Sequence, residues 1–162
     1  MRKLLLIIML VSVGLSANAA SSCPALMELP LFERAVRIIK YYETLHRPEH
    51  WPGIGYGHVV QAGEPYKRGV RLTERQADAL LRKDLKRFCN LYRSYGADSV
   101  LLSALAYNCG PRAVKESGIL QKLKSGDRDI FESYTSYCHY KGKWHSGLYR
   151  RRIVEYLVLF EP

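Results

Sequence analysis

Several absences narrow what this chain can be. Beyond an apolar run near its start, no second stretch is long and hydrophobic enough to resemble a membrane helix. No Ser/Gly/Pro-rich linker divides it and no segment repeats, which leaves one domain. The four cysteines do not fall at any zinc-motif spacing, and no metal or organic cofactor is implied. No aromatic-basic motif of a nucleic-acid module occurs. Acid is scarce: 15 Asp and Glu stand against 25 Lys and Arg, for a formal charge of +10. Such a surface attracts polyanions in general, whether nucleic acid, anionic lipid or the acidic polymers of a cell wall.

What is present begins with Met1-Arg2-Lys3, the apolar run Leu4 to Val13, and Ala17-Asn18-Ala19. A positive start, a short apolar core and an A-x-A site read as a secretory signal peptide over residues 1–19. Cys23 lacks the aliphatic residue three before it that a lipoprotein reading requires. Cleavage removes two positives and leaves +8 on residues 20–162, a single exported domain, periplasmic or extracellular. Export makes nucleic acid the least available polyanion, and no membrane insertion is expected after cleavage. Cys23, Cys89, Cys109 and Cys138 form an even set, which in an oxidising compartment points to disulfides with three possible pairings. Cys109 on an apolar helical face also reads as a buried free thiol.

Leu31, Ala35, Ile38, Ile39 and Tyr42 trace one face of a helix with Pro30 at its first turn and Glu43 in its last. There the helix dipole disfavours a negative charge, so the position suits an acid that stays protonated. Two prolines in 46–52 exclude regular helix. Gly53-Ile54-Gly55-Tyr56-Gly57-His58 reads as a tight strand, and 61–71 as a turn-rich return, giving a hairpin or three-stranded sheet as the only β portion. A phosphate loop is excluded, because no helix opens after it. Thr73 and Gln76 form a capping box before a helix to about Tyr92, with Asp84 inside its apolar stripe and in need of a partner. Asp98 caps a helix over 99–108 that Gly110-Pro111 stops. Short helices follow at 112–116 and 118–124, then one over 130–140, and a last one from Ser146. The expectation is a mainly helical α+β fold with a small β-lobe. A single carboxyl group, Glu43, faces that lobe across a cleft, an arrangement suited to cleaving a sugar chain.

Four motifs in order resemble the phage-type lysozymes, the muramidases of glycoside hydrolase family 24. They are Ile54-Gly55-Tyr56-Gly57-His58 behind a helix ending in Glu43, Leu72-Thr73-Glu74-Arg75-Gln76-Ala77 with Leu80 and Asp84, Ala104-Leu105-Ala106-Tyr107-Asn108-Cys109-Gly110, and Gly147-Leu148-Tyr149-Arg150-Arg151-Arg152. The resemblance implies a lysozyme-like fold, and a monomer that cleaves the β-1,4 bond between N-acetylmuramic acid and N-acetylglucosamine in peptidoglycan. Glu43 would be the general acid, with a pKa raised by burial beside apolar groups. Gly55, Tyr56, Tyr107 and Asn108 would meet the glycan, and His58 and Asp84 would form a structural ion pair.

One departure is plain. The family places an aspartate nine residues after the glutamate and a threonine six further on. Here the interval is five residues shorter, the aspartate's place falls on Pro52 or Arg47, and the threonine's on Gly53. Three readings follow. Glu49 or His50 in the shortened loop activates water, or one acid suffices for a lytic transglycosylase that makes an anhydro product, or the protein binds wall without cutting it.

Overall fold

The structure, a computed structural model, describes residues 25–161; the stretch 1–19 expected to be a signal peptide and Cys23 lie outside them. After a 3-10 turn at Leu26–Glu28, helix α1 spans Leu31–Glu43 and buries Ala35, Val36, Ile38 and Ile39. A loop with a 3-10 turn at Pro48–His50 leads into the hairpin β1 (Gly53–Ile54) and β2 (His58–Val59), antiparallel, with Gly53 opposite Val59 and Ile54 opposite His58. Helix α2, Glu74–Leu91, starts at the expected capping box. Gln76 N–H donates to Thr73 Oγ1 at 3.3 Å, and Gln76 Oε1 accepts from Thr73 N–H at 2.9 Å.

Helix α3, Asp98–Cys109, is the hub. Its residues 101–106 are all buried, because α1, α2, the short helix α4 (Pro111–Glu116) and the helix Ser146–Leu159 pack around it. A helix apolar on every side cannot face water, so the others must enclose it. Helix α5 (Ile119–Lys124) and helix α6 (Phe131–Thr135) follow, then the hairpin β3 (His139–Tyr140) and β4 (Lys143–Trp144), and α7, Ser146–Leu159. His145 Nδ1 starts α7 by accepting the Leu148 N–H at 3.2 Å. Arg82 laces α1 to α2, donating to Glu33 at 2.5 and 2.9 Å and to Asp78 at 2.6 Å.

Three expectations need correction. The helix drawn over 130–140 ends at Thr135, and a second hairpin follows it, so the first is not the only β portion. Lys141 and Gly142 both have positive φ, 51° and 74°, the signature of a two-residue type I′ turn whose twist suits paired strands. Asp98 does not cap: it is the first residue of α3, and its carboxylate takes a bidentate pair from Arg128 at 2.5 and 3.0 Å. The fork engages both carboxylate oxygens with a cation, where a cap would engage one with a neutral N–H. Cys89, Cys109 and Cys138 are free thiols, so no disulfide joins them.

Inside the helical lobe, the Glu155 carboxylate is fully buried and accepts from Arg151 Nε at 2.8 Å, Arg152 Nη2 at 3.2 Å and Tyr134 Oη at 2.9 Å. Removing one member of a buried charge cluster strands the others in a medium that solvates charge poorly. Glu155→Leu should therefore destabilise the fold by about 3–5 kcal/mol, measured as a fall in urea midpoint at unchanged slope.

Candidate active site

Helix α1 stops at Glu43 because Thr44 turns to φ 53°, ψ 171°, a region that β-branched residues seldom enter. The chain is thrown aside there, and the Glu43 carboxylate projects from the helix end toward α7 and the hairpin. Arg151 Nη1 donates to its Oε1 at 2.5 Å, and Asn108 Nδ2 lies 3.5 Å from the same oxygen. Oε2 is turned to the hairpin, where a Cβ on Gly57 would come within 3.2 Å of it. Gly57 also has φ +94°, so position 57 must be glycine on both counts. One oxygen is thus held by the helical lobe, and the other faces the β-lobe.

Arg151 is the site residue to which the sequence motif alone assigned no role. It is 3 % exposed. Burial works against its charge, but Glu155 and Glu43 more than offset this, and the guanidinium is held more firmly protonated than a free arginine. Arg152, next along α7, donates to Asn108 Oδ1 at 3.2 Å and so orients the amide that reaches Glu43. The Gly147-Leu148-x-x-Arg151-Arg152 motif carried the signal. What it lacked was any mark that the arginines point inward.

The other expected residues divide. Asn108 stands beside Glu43 and lines a cavity of about 480 Å³ with Ser136, Tyr137, His139, Tyr140 and Leu148. Tyr107 is turned inward: its hydroxyl donates to the Tyr56 carbonyl at 2.8 Å, and burial pushes its pKa well up. Tyr56 is itself buried, with its hydroxyl 3.3 Å from Glu74 and its ring under Lys40. It supports the lobe instead of presenting a face to ligand. Gly55 packs on α2, where an added Cβ would meet that of Ala77 at 3.3 Å. The close approach it permits is therefore to a helix. His58 is buried, with Nδ1 2.6 Å from Asp84 Oδ2 and Nε2 2.8 Å from Glu64 Oε2. The second carboxylate was not anticipated. The Gln61 N–H and then His58 hold the Glu64 carboxyl below its usual range.

In the shortened loop, Glu49 and His50 are both exposed. His50 Nδ1 accepts the Arg47 N–H at 3.2 Å, which makes it a turn-closing group. Beneath them His46 is half-buried, with its ring edge-on to His50 at 4.9 Å between centroids. Its backbone N–H donates to the Gly55 carbonyl at 2.7 Å, tying the loop to the hairpin. The ring lies over Gly53, where a Cβ would fall 2.9 Å from His46 Nδ1 and 3.1 Å from the His50 carbonyl oxygen. No side chain fits at 53 while His46 stands there. Among the described residues, no three His, Cys, Asp or Glu side chains cluster as a metal site would require.

A family model for phage lysozyme matches residues 40–155. An endolysin of Bacillus phage B103 is 28 % identical over 139 residues, 74 % of this chain and 50 % of that protein. The chain thus spans about half the length of that curated relative. The endolysin of Escherichia coli O157:H7 phage FAHEc1 superposes with a TM-score of 0.65 at 24 % identity, over 81 % of this chain and 94 % of the other. The muramidase domain of SpmX from Asticaccaulis excentricus gives a TM-score of 0.66 at 25 % identity, over 79 % of this chain and 95 % of the other. The chain belongs to the phage lysozyme family, and its fold is lysozyme-like.

Two outcomes test this geometry. Asp84→Asn replaces the buried carboxylate that bonds His58 at 2.6 Å with a neutral amide and should lower the melting temperature by on the order of 10 °C. Gly53→Ala should cost about 1–3 kcal/mol by overpacking against His46. The larger part of that loss should disappear in a His46→Ala background, as a double-mutant cycle would register.

Proposed function

We propose that this protein cleaves the β-1,4 bond between N-acetylmuramic acid and N-acetylglucosamine in peptidoglycan, with Glu43 as general acid. The observation that carries the reading is the way the Glu43 carboxyl is held between the lobes. Arg151 and Asn108 fix Oε1, leaving Oε2, on the Gly57 side, as the oxygen to carry the transferable proton. A bound glycan passing between the lobes would present its glycosidic oxygen to that proton. Protonation of the leaving oxygen is the step that general acid catalysis accelerates, typically by 10²–10⁴-fold.

The names of the relatives agree with a wall substrate: two are endolysins and one a muramidase domain. The net positive charge suits an acidic polymer. Among the described residues no helix is long and apolar enough to cross a membrane. With the signal-peptide pattern at 1–19, the protein is read as exported and acting on the wall as a monomer.

Glu43→Gln keeps the shape and the Arg151 contact but removes the transferable proton. The variant should fold as the parent does and lose at least about a hundred-fold of its rate of clearing purified walls in a turbidity assay. Clearing at the parent rate would remove Glu43 from the acid role.

A further inference from the structure

The loop that the family uses to carry its second catalytic group is shortened here, and its one carboxylate, Glu49, is exposed on the 3-10 turn. A different group has moved in. The Nδ1–Cε1 edge of His46 sits over Gly53, 2.9 and 3.2 Å from where a Cβ would be, so the imidazole occupies the space of a side chain at position 53. Its Nδ1 is buried and has no hydrogen-bond partner. The His50 carbonyl oxygen lies 3.1 Å from the same Cβ position, and so at most about 6 Å from Nδ1.

Glu43 and His46 are seated on the two ends of one hairpin segment, Glu43 on Gly57 and His46 on Gly53. Two residues, Thr44 and Leu45, separate them, so their Cα atoms stand at most about 11 Å apart. An acid–base pair that inverts a glycosidic centre across a water molecule needs roughly 6.5–9.5 Å between its reacting groups. The left-handed turn at Thr44 and the His46 N–H bond to Gly55 hold the intervening chain in place.

We propose that His46 is the second catalytic residue, the base that activates the attacking water. The inference rests on the reading of Glu43 as the acid of a peptidoglycan hydrolase. With its proton on Nδ1, toward the His50 carbonyl, the neutral ring offers Nε2 as acceptor. Water oxygen forms a bond to the anomeric carbon while one water proton passes to Nε2. The bond from that carbon to the glycosidic oxygen breaks, and that oxygen takes the proton of Glu43. The step ends with an imidazolium and a carboxylate, which exchange a proton through solvent, and the new hydroxyl has inverted configuration.

The test compares the parent with Glu43→Gln, His46→Ala and His46→Gln, each checked by melting temperature, in a clearing assay with and without sodium azide. Azide attacks carbon without surrendering a proton and so bypasses a missing base. A folded His46 variant should clear at least about a hundred-fold more slowly than the parent and regain activity with azide. Mass spectrometry should then find glycosyl azide, while the parent releases hydrated ends. His46→Gln, which keeps the packing over Gly53, decides the matter if His46→Ala does not fold. A folded His46 variant that clears at the parent rate, or that azide fails to revive, overturns the proposal. So do anhydro ends from the parent, since these require attack by the sugar's own C6 hydroxyl. If Glu43→Gln itself still clears, the reading of the acid falls instead, which separates the two failures.

Discussion

The buried carboxylate of Glu155 is the contact on which the site depends. It sits on α7 without solvent and holds two guanidinium groups, Arg151 four residues before it and Arg152 three before. Arg151 extends its Nη1 to Glu43, and Arg152 reaches Asn108 with the same Nη2 that meets Glu155. Each guanidinium lies within hydrogen-bond reach of the Glu155 carboxylate, which is how these buried charges persist where isolated ones would not. Tyr134, fully buried on α6, closes the far side by donating to Glu155. The position of the acid is therefore a property of the packed helical lobe and not of α1 alone.

The hairpin lobe answers to a different constraint, lack of space. Gly57 is bare because Glu43 lies against it, and Gly53 because His46 does. Gly55 meets α2. The alternating glycines record three close approaches, two of them by side chains from the segment that includes the end of α1 and the loop after it. His58, between Asp84 and Glu64, pins the second strand to α2 from the other face. A two-strand lobe too small for a core of its own is thereby held by α2, by the loop and by the acid it faces.

Much of this was legible where the signals are local. The stripe of α1, the capping box of α2 and the helix stop at Gly110 depend on neighbours within a few residues, and each element lies where its pattern put it. The end of α6 was not legible, because a type I′ turn at Lys141-Gly142 needs positive φ from a lysine, a residue with no turn preference to announce it. Asp98 carried a cap's chemistry but found a stronger partner in Arg128, thirty residues away. In the site, Glu43 could be read from its place at a helix end and from the motif after it. Arg151 could not, since three consecutive arginines look like solvated charge until the fold buries two of them. His46 was hidden for a related reason: its meaning lies in the volume over Gly53, and volume is a property of the folded chain.

The bond between Arg151 and Glu43 joins positions 108 residues apart, most of the described length. Glu43 is made well before its anchor. A partly emerged chain carries Glu43 on α1 with neither Arg151 nor the Glu155 that holds it, and with the hub helix still lacking α7. Only a chain that extends through α7 brings the two residues together, so the held carboxylate arises with the packing of that helix.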